Sequence, residues 1–140
     1  MLPAASSDTL GEVKSFARSC LIVDDSDAFC LSARRMLEAT DVTVVGTAST
    51  LAQAVEIVLG ARPDLVLVDI DLGDESGFDV VEAIAEAGAE SRPSIILVST
   101  HDEDDFADLV ESSSAVGFLP KFDLSAESIR TLLTTVCRDT

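Results

Sequence analysis

Short apolar runs and stretches of helical periodicity alternate along this chain. Residues 20–23, 65–68, 95–98 and 116–119 are apolar or nearly so, and residues 42–47 are rich in β-branched side chains. Such runs, bounded by turn residues, predict strands, and the unbroken ones predict strands covered on both faces. Between them the apolar positions follow the helical period. Phe29, Ala33, Met36 and Leu37 keep i, i+4, i+7, i+8 spacing, Phe78, Val81 and Ile84 share one side of a segment from Ser76 to about Ala87, and Ile129, Leu132, Leu133 and Val136 stripe residues 125–137. Ser26 is placed to cap the first helix. Thr50 with Gln53, and Thr100 with Glu103, have the capping-box spacing for two more, and Gly60 is a C-terminal stop for the helix that Thr50 opens. The acids at 102–105 suit the first turn of a helix, where the dipole favours negative charge. Five strands alternating with five helices predict an α/β fold, a doubly wound five-stranded parallel sheet with right-handed crossovers and helices on both faces.

Polar residues stand where the runs end. The third run stops at Asp69, and Asp71, Gly73, Asp74 and Gly77 give the next segment a turn composition. Asp24 and Asp25 end the first run, Ser99 ends the fourth, and Lys121 lies just past the fifth. Open parallel sheets bind ligands outside the carboxyl ends of their strands, and in the order 2-1-3-4-5 the first and third strands are neighbours. Three carboxylates then share one crevice, where each raises the pKa of the others unless a cation offsets them. Oxygen ligands alone suit Mg²⁺ (or Mn²⁺), which takes one or two carboxylates and keeps several waters, leaving room for a phosphoryl oxygen.

Composition narrows the partners. The 140 residues carry 26 acids against 9 bases, a formal charge of −17, which disfavours direct contact with nucleic acid or an anionic membrane. No run approaches the roughly 20 apolar residues of a membrane span, and the N-terminus lacks a signal-peptide pattern. Cys20, Cys30 and Cys137 have no metal-ligand spacing and are expected to be reduced thiols, so the expected compartment is the cytoplasm. Residues 1–18, with a weak helical stretch near Val13 to Ala17, are expected to be a loosely ordered extension, and residues 19–140 a single domain.

Asp24 and Asp25, Asp69, Ser99 and Lys121, with Gly77 in the loop after Asp69, carry a resemblance to the response-regulator receiver domains of two-component signalling, spanning nearly everything from Cys20 to Cys137. That resemblance implies the flavodoxin-like strand order 2-1-3-4-5. It also implies that Asp69 is a phosphoacceptor for the phosphohistidine of a sensor histidine kinase or phosphotransfer protein. Asp25 and Asp69 would bind Mg²⁺ through their side chains and Asp71 through its backbone carbonyl, with Asp24 acting through water or by orienting the site. Lys121 would pair with the phosphoryl group. Ser99 and Phe118 would form the switch, read out on the face of the fourth helix, fifth strand and fifth helix by an output protein or a missing output domain. Asp71 and His101 would tune dephosphorylation. The sequence departs from many relatives in placing Pro120 before Lys121 and Phe122 after it.

Two other readings stay open on the residues. One is a receiver-like binding module that is never phosphorylated. The other is a haloacid-dehalogenase-like phosphatase using Asp69 and Asp71, although that family expects Thr or Val where Gly73 stands. The expectation is a phosphoacceptor domain and not an enzyme, with at most slow self-dephosphorylation.

Overall fold

A run with no polar face can only be satisfied between two layers, and that is where the apolar runs lie. The computed structural model describes residues 17–90, 92–100 and 106–139. In chain order it contains β1 (Ser19–Val23), α1 (Asp27–Glu38), β2 (Thr43–Ala48), α2 (Leu51–Ala61), β3 (Leu65–Asp69), α3 (Gly77–Ala87), β4 (Ser94–Ser99), α4 (Ala107–Ser112), β5 (Gly117–Pro120) and α5 (Ala126–Asp139). The five strands form one sheet in the order β2-β1-β3-β4-β5, with every neighbouring pair parallel. This is the doubly wound order expected.

Side chains alternate across a strand, so each run feeds two cores. Leu21, Val23, Val66, Val68, Ile95 and Leu97 pack with Ala54, Val58, Val80, Val81 and Ile84 of α2 and α3. Cys20, Ile22, Leu65, Leu67, Ile96 and Val98 pack on the other face with Cys30, Ala33 and Leu37 of α1 and Ile129 of α5. Full burial of each Val, Leu or Ile among them is worth about 1.5–3 kcal/mol. Cys20 and Cys30 are buried free thiols, as expected, and burial pushes the pKa of both upward.

Helix ends follow the caps in part. Ser26 Oγ accepts the Phe29 N–H at 3.2 Å and Thr50 Oγ1 the Gln53 N–H at 3.2 Å. The return arm of the expected box lands one residue early, on Ser49, whose N–H donates to Gln53 Oε1 at 2.9 Å. Gly60 does not stop α2. The helix continues to Ala61 and ends on Arg62, which takes the left-handed conformation at φ 50°, because Pro63 follows and cannot continue it. The second strand starts at Thr43, since Asp41 turns with φ 70° just before it.

The segment after Asp69 is more ordered than a turn composition suggests. Asp71–Leu72 pairs antiparallel with Glu75–Ser76, and Gly73 makes the turn at φ 80°. The fourth helix is described from Ala107, with Phe106 before it making no side-chain cap. His101, Glu103 and the acids at 102–105 lie outside the described residues, as do residues 1–16 with most of the expected extension. Arg18, assigned to that extension, is tied to the body, its N–H donating to Asp64 Oδ2 at 2.9 Å and its carbonyl accepting the Thr43 N–H at 3.0 Å. No helix among the described residues is long and apolar enough to cross a membrane.

Candidate functional site

Val23 lies opposite Val68 in the β1–β3 ladder, so the next residues, Asp24 and Asp69, leave the sheet at the same height. By alternation both continue the rows that face α1 and α5, and Lys121, two past Leu119, continues the same side from β5. The three meet there. Lys121 Nζ is 2.6 Å from Asp24 Oδ2 and 3.4 Å from Asp69 Oδ2. One carboxylate oxygen from each of Asp24, Asp25 and Asp69 lies within 4.8 Å of the other two. Asp25 is exposed. Asp24 and Asp69 are buried, and with Ser99 they are the buried polar or charged side chains among the described residues.

Backbone amides aim the carboxylates. The Ser26 N–H donates to Asp24 Oδ1 at 2.8 Å, and the Asp71 N–H donates to Asp69 Oδ1 at 3.2 Å. The Gly73 N–H in turn donates to Asp71 Oδ1 at 3.1 Å. Asp24 Oδ2 is buried and meets the ammonium as a close ion pair. Burial is the main force lifting the Asp69 pKa, to about 6. The Asp24 charge adds to it, against the opposing pull of the Asp71 amide and Lys121. Burial opposes the charge on Lys121, but Asp24 and Asp69 outweigh it and its pKa stands above the ordinary lysine value.

The oxygen-only donor set fits a hard cation. One carboxylate oxygen from each of the three acids, all within 4.8 Å of one another, could therefore serve one such ion, some directly and others through water. Asp24 Oδ2 already has the Lys121 ammonium 2.6 Å away, so Asp25, which is exposed, and Asp69 are the acids more open to the ion.

Ser99 and Phe118 belong to the opposite row of the sheet. Ser99 follows Ile95 and Leu97 on the row facing α2 and α3, and Phe118 is buried in that same core. Ser99 also lines a cavity of about 430 Å³ with Ile70, Asp71, Glu75 and Phe106, next to the acids. No cis peptide occurs among the described residues, and Lys121 opens a short 3-10 turn after Pro120.

The response regulator receiver domain model matches residues 20–134 of the chain. The chain belongs to that family.

Among curated proteins, this receiver is 31% identical over 85 residues to the nitrate/nitrite response regulator NarL of Escherichia coli, covering 60% of this chain and 39% of NarL. It is 30% identical over 109 residues to the transcriptional regulatory protein LiaR of Bacillus subtilis, covering 76% of this chain and 50% of LiaR. The receiver thus spans half or less of these relatives' length. Among solved structures, it matches the N-terminal domain of a three-domain response regulator from Carboxydothermus hydrogenoformans. That match has 28% identity and a TM-score of 0.70, over 86% of this chain and 94% of that one. The family is a signalling one and not a typical enzyme family. Where the phosphatase alternative expects Thr or Val, Gly73 stands at a left-handed φ of 80° that favours glycine.

Two contacts were not legible in the receiver's sequence. The Phe29 ring, spaced like a core position, lies under Lys121 Nζ at 4.4 Å from its centroid. Glu75 Oε1 accepts the Leu51 N–H at 2.7 Å, so the hairpin after Asp69 caps α2 across 24 residues. Nothing local marks such a partner. Glu75→Ala is expected to cost about 1 kcal/mol, a typical cap, and to lower the melting temperature by roughly 3–5 °C. Glu75→Gln, which keeps the acceptor, is expected to melt near wild type. Equal melts for Ala and wild type would show the bond to be idle.

Proposed function

We propose that this receiver takes a phosphoryl group on Asp69 from the phosphohistidine of a sensor histidine kinase or phosphotransfer protein, with Mg²⁺ as cofactor. The observation that carries it is one buried carboxylate, Asp69, with two further carboxylates within 4.8 Å and an ammonium at 3.4 Å. Asp25 and Asp69 side chains and the Asp71 carbonyl would hold the ion, with Asp24 orienting the group. Bound there, Mg²⁺ would neutralise charge developing on the phosphoryl oxygens.

The chain's own residues supply the rest. Asp69 reacts as the carboxylate, and with a pKa of about 6 it is mostly ionised at neutral pH. Its oxygen forms the new P–O bond as the P–N bond to the donor imidazole breaks, and that nitrogen keeps the electron pair and takes a proton. The Asp71 N–H holds Asp69 Oδ1, leaving Oδ2, which meets the Lys121 ammonium at 3.4 Å, as the attacking oxygen. Lys121 offers the phosphoryl oxygens a compact positive charge.

Phosphorylation adds about −1.5 to −2 units of charge and strong acceptor oxygens. The Ser99 hydroxyl, turning from its own face of the sheet, would donate to the phosphoryl group. Phe118, which has no hydroxyl, would follow by repacking alone. A charged hydrogen bond of about 1.5–3 kcal/mol is enough to bias two states a few kcal/mol apart. The changed α4–β5–α5 face would then be read by an output protein or domain. Asp71 and His101 would tune the lifetime of the acyl phosphate.

Acetyl phosphate with Mg²⁺, read by intact mass, tests this. One acid-stable, base-labile phosphoryl group per chain is expected in wild type, with none in Asp69→Ala and none in EDTA. A folded wild-type protein that takes no label would leave the unphosphorylated binding module standing instead.

A further inference from the structure

The ammonium of Lys121 is mostly shielded, its side chain 15% exposed. Two of its neighbours are the carboxylates of Asp24 and Asp69, and the third is the face of Phe29, 4.4 Å away at the centroid. A cation within about 6 Å of a ring face is drawn to its negative quadrupole. The ring does not reach this position alone. The Ser26 N–H binds Asp24 Oδ1, and Ser26 Oγ accepts the Phe29 N–H, so one capped helix start sets both the anion and the aromatic face. Residues 24–29 therefore meet the same ammonium twice, by charge and by π face.

We infer that Phe29 is a positioning residue for phosphoryl acceptance, its ring supporting the Lys121 ammonium beside Asp69. The inference builds on Asp69 being the phosphoacceptor. The acids hold Lys121 only while they are free carboxylates. Once a cation binds them and Asp69 is acylated, their pull weakens, whereas the pull of the ring does not depend on their state. A long flexible side chain starting a 3-10 turn after Pro120 needs such a support if it is to meet the arriving phosphoryl oxygens rather than wander into solvent.

The test compares Phe29→Leu, which keeps apolar bulk against the α1–α5 core but removes the π face, with Phe29→Tyr, which keeps the face. In initial rates of labelling by acetyl phosphate at saturating Mg²⁺, Leu is expected to be about fivefold slower than wild type and Tyr close to it. Fivefold corresponds to about 1 kcal/mol at 1.4 kcal/mol per tenfold. A second readout uses no phosphodonor. The ε-methylene protons of Lys121 are expected upfield from ring current in wild type and Tyr, and at ordinary positions in Leu. Lys14, the other lysine of the chain, serves as the comparison signal in the same spectrum. Unshifted Lys121 protons in wild type, a Leu variant labelled at the wild-type rate, or a Tyr variant as slow as Leu would each overturn the role of Phe29. Failure of wild type itself to take label would overturn the phosphoacceptor proposal instead, and the proton shifts would still show whether the ring supports the lysine.

Discussion

Gly77→Ala is expected to destabilise the protein by about 3 kcal/mol or more, lowering the melting temperature by on the order of 10 °C. A Cβ at this position would overlap the Asp69 carbonyl oxygen and stand 2.6 Å from Ile70 Cα and 2.8 Å from the Asp69 carbonyl carbon. All three atoms are backbone, so no side chain can swing aside. The Gly77 N–H donates to the Ile70 carbonyl at 2.7 Å, which presses the start of α3 against the end of β3. Relief can come only by moving the strand end or the helix, and the strand end carries Asp69. The same variant is therefore expected to lose at least tenfold in labelling rate at temperatures where it remains folded. Thermal unfolding followed by circular dichroism is the first check. A wild-type melting temperature would mean that the β3–α3 junction yields more readily than close-packed backbone does elsewhere.

In EDTA, wild-type stability is expected to decline between about pH 4 and pH 6, and Mg²⁺ is expected to restore it at pH 7. Asp69 rises from the usual 3.8 to about 6 in the folded state, first by burial and then by the Asp24 charge. Between those values the folded protein keeps a proton that the unfolded chain has released. Its contribution to stability is thus full below about pH 4 and lost as the pH rises through about 6. A cation bound only by the folded state adds back RT ln(1 + [L]/Kd), about 2.7 kcal/mol at a hundred times Kd. The net charge of −17 also weakens an acidic protein as pH rises, so the useful quantity is the difference between wild type and Asp69→Asn. The amide has nearly the same shape and every other charge is retained. Asp69→Asn is expected to melt above wild type at pH 7 in EDTA and to respond less to Mg²⁺. Parallel melting curves for the two proteins from pH 4 to 7, or equal gains from Mg²⁺, would contradict a strained, cation-seeking carboxylate at this position.

The wall of the site could be anticipated residue by residue. A strand covered on both faces admits no polar side chain except at its end, so the apolar runs located β1, β3, β4 and β5 and marked Asp24, Asp69, Ser99 and Lys121 as the places where the pattern breaks. The parallel order then brought Asp24 beside Asp69. Caps were legible where donor and acceptor lie three residues apart, as at Ser26 and Thr50. They failed where a competing residue decided the outcome, as at Gly60, which Pro63 overrode by letting Arg62 close the helix in the left-handed region.

Strand placement, the identity of the acids and the family were contained in the linear order of residues, because each depends on alternation and on neighbours a few positions away. Three things depended on the folded chain. Phe29 looks like any core position until Lys121, some ninety residues later, comes to rest on its ring. Glu75 caps a helix it does not belong to, and Gly77 is obligatory only because the backbone of Asp69 and Ile70 occupies the space a side chain would need. Periodicity tells which face of an element is apolar, but only packing decides which distant atom meets it, and these three contacts are all of that second kind.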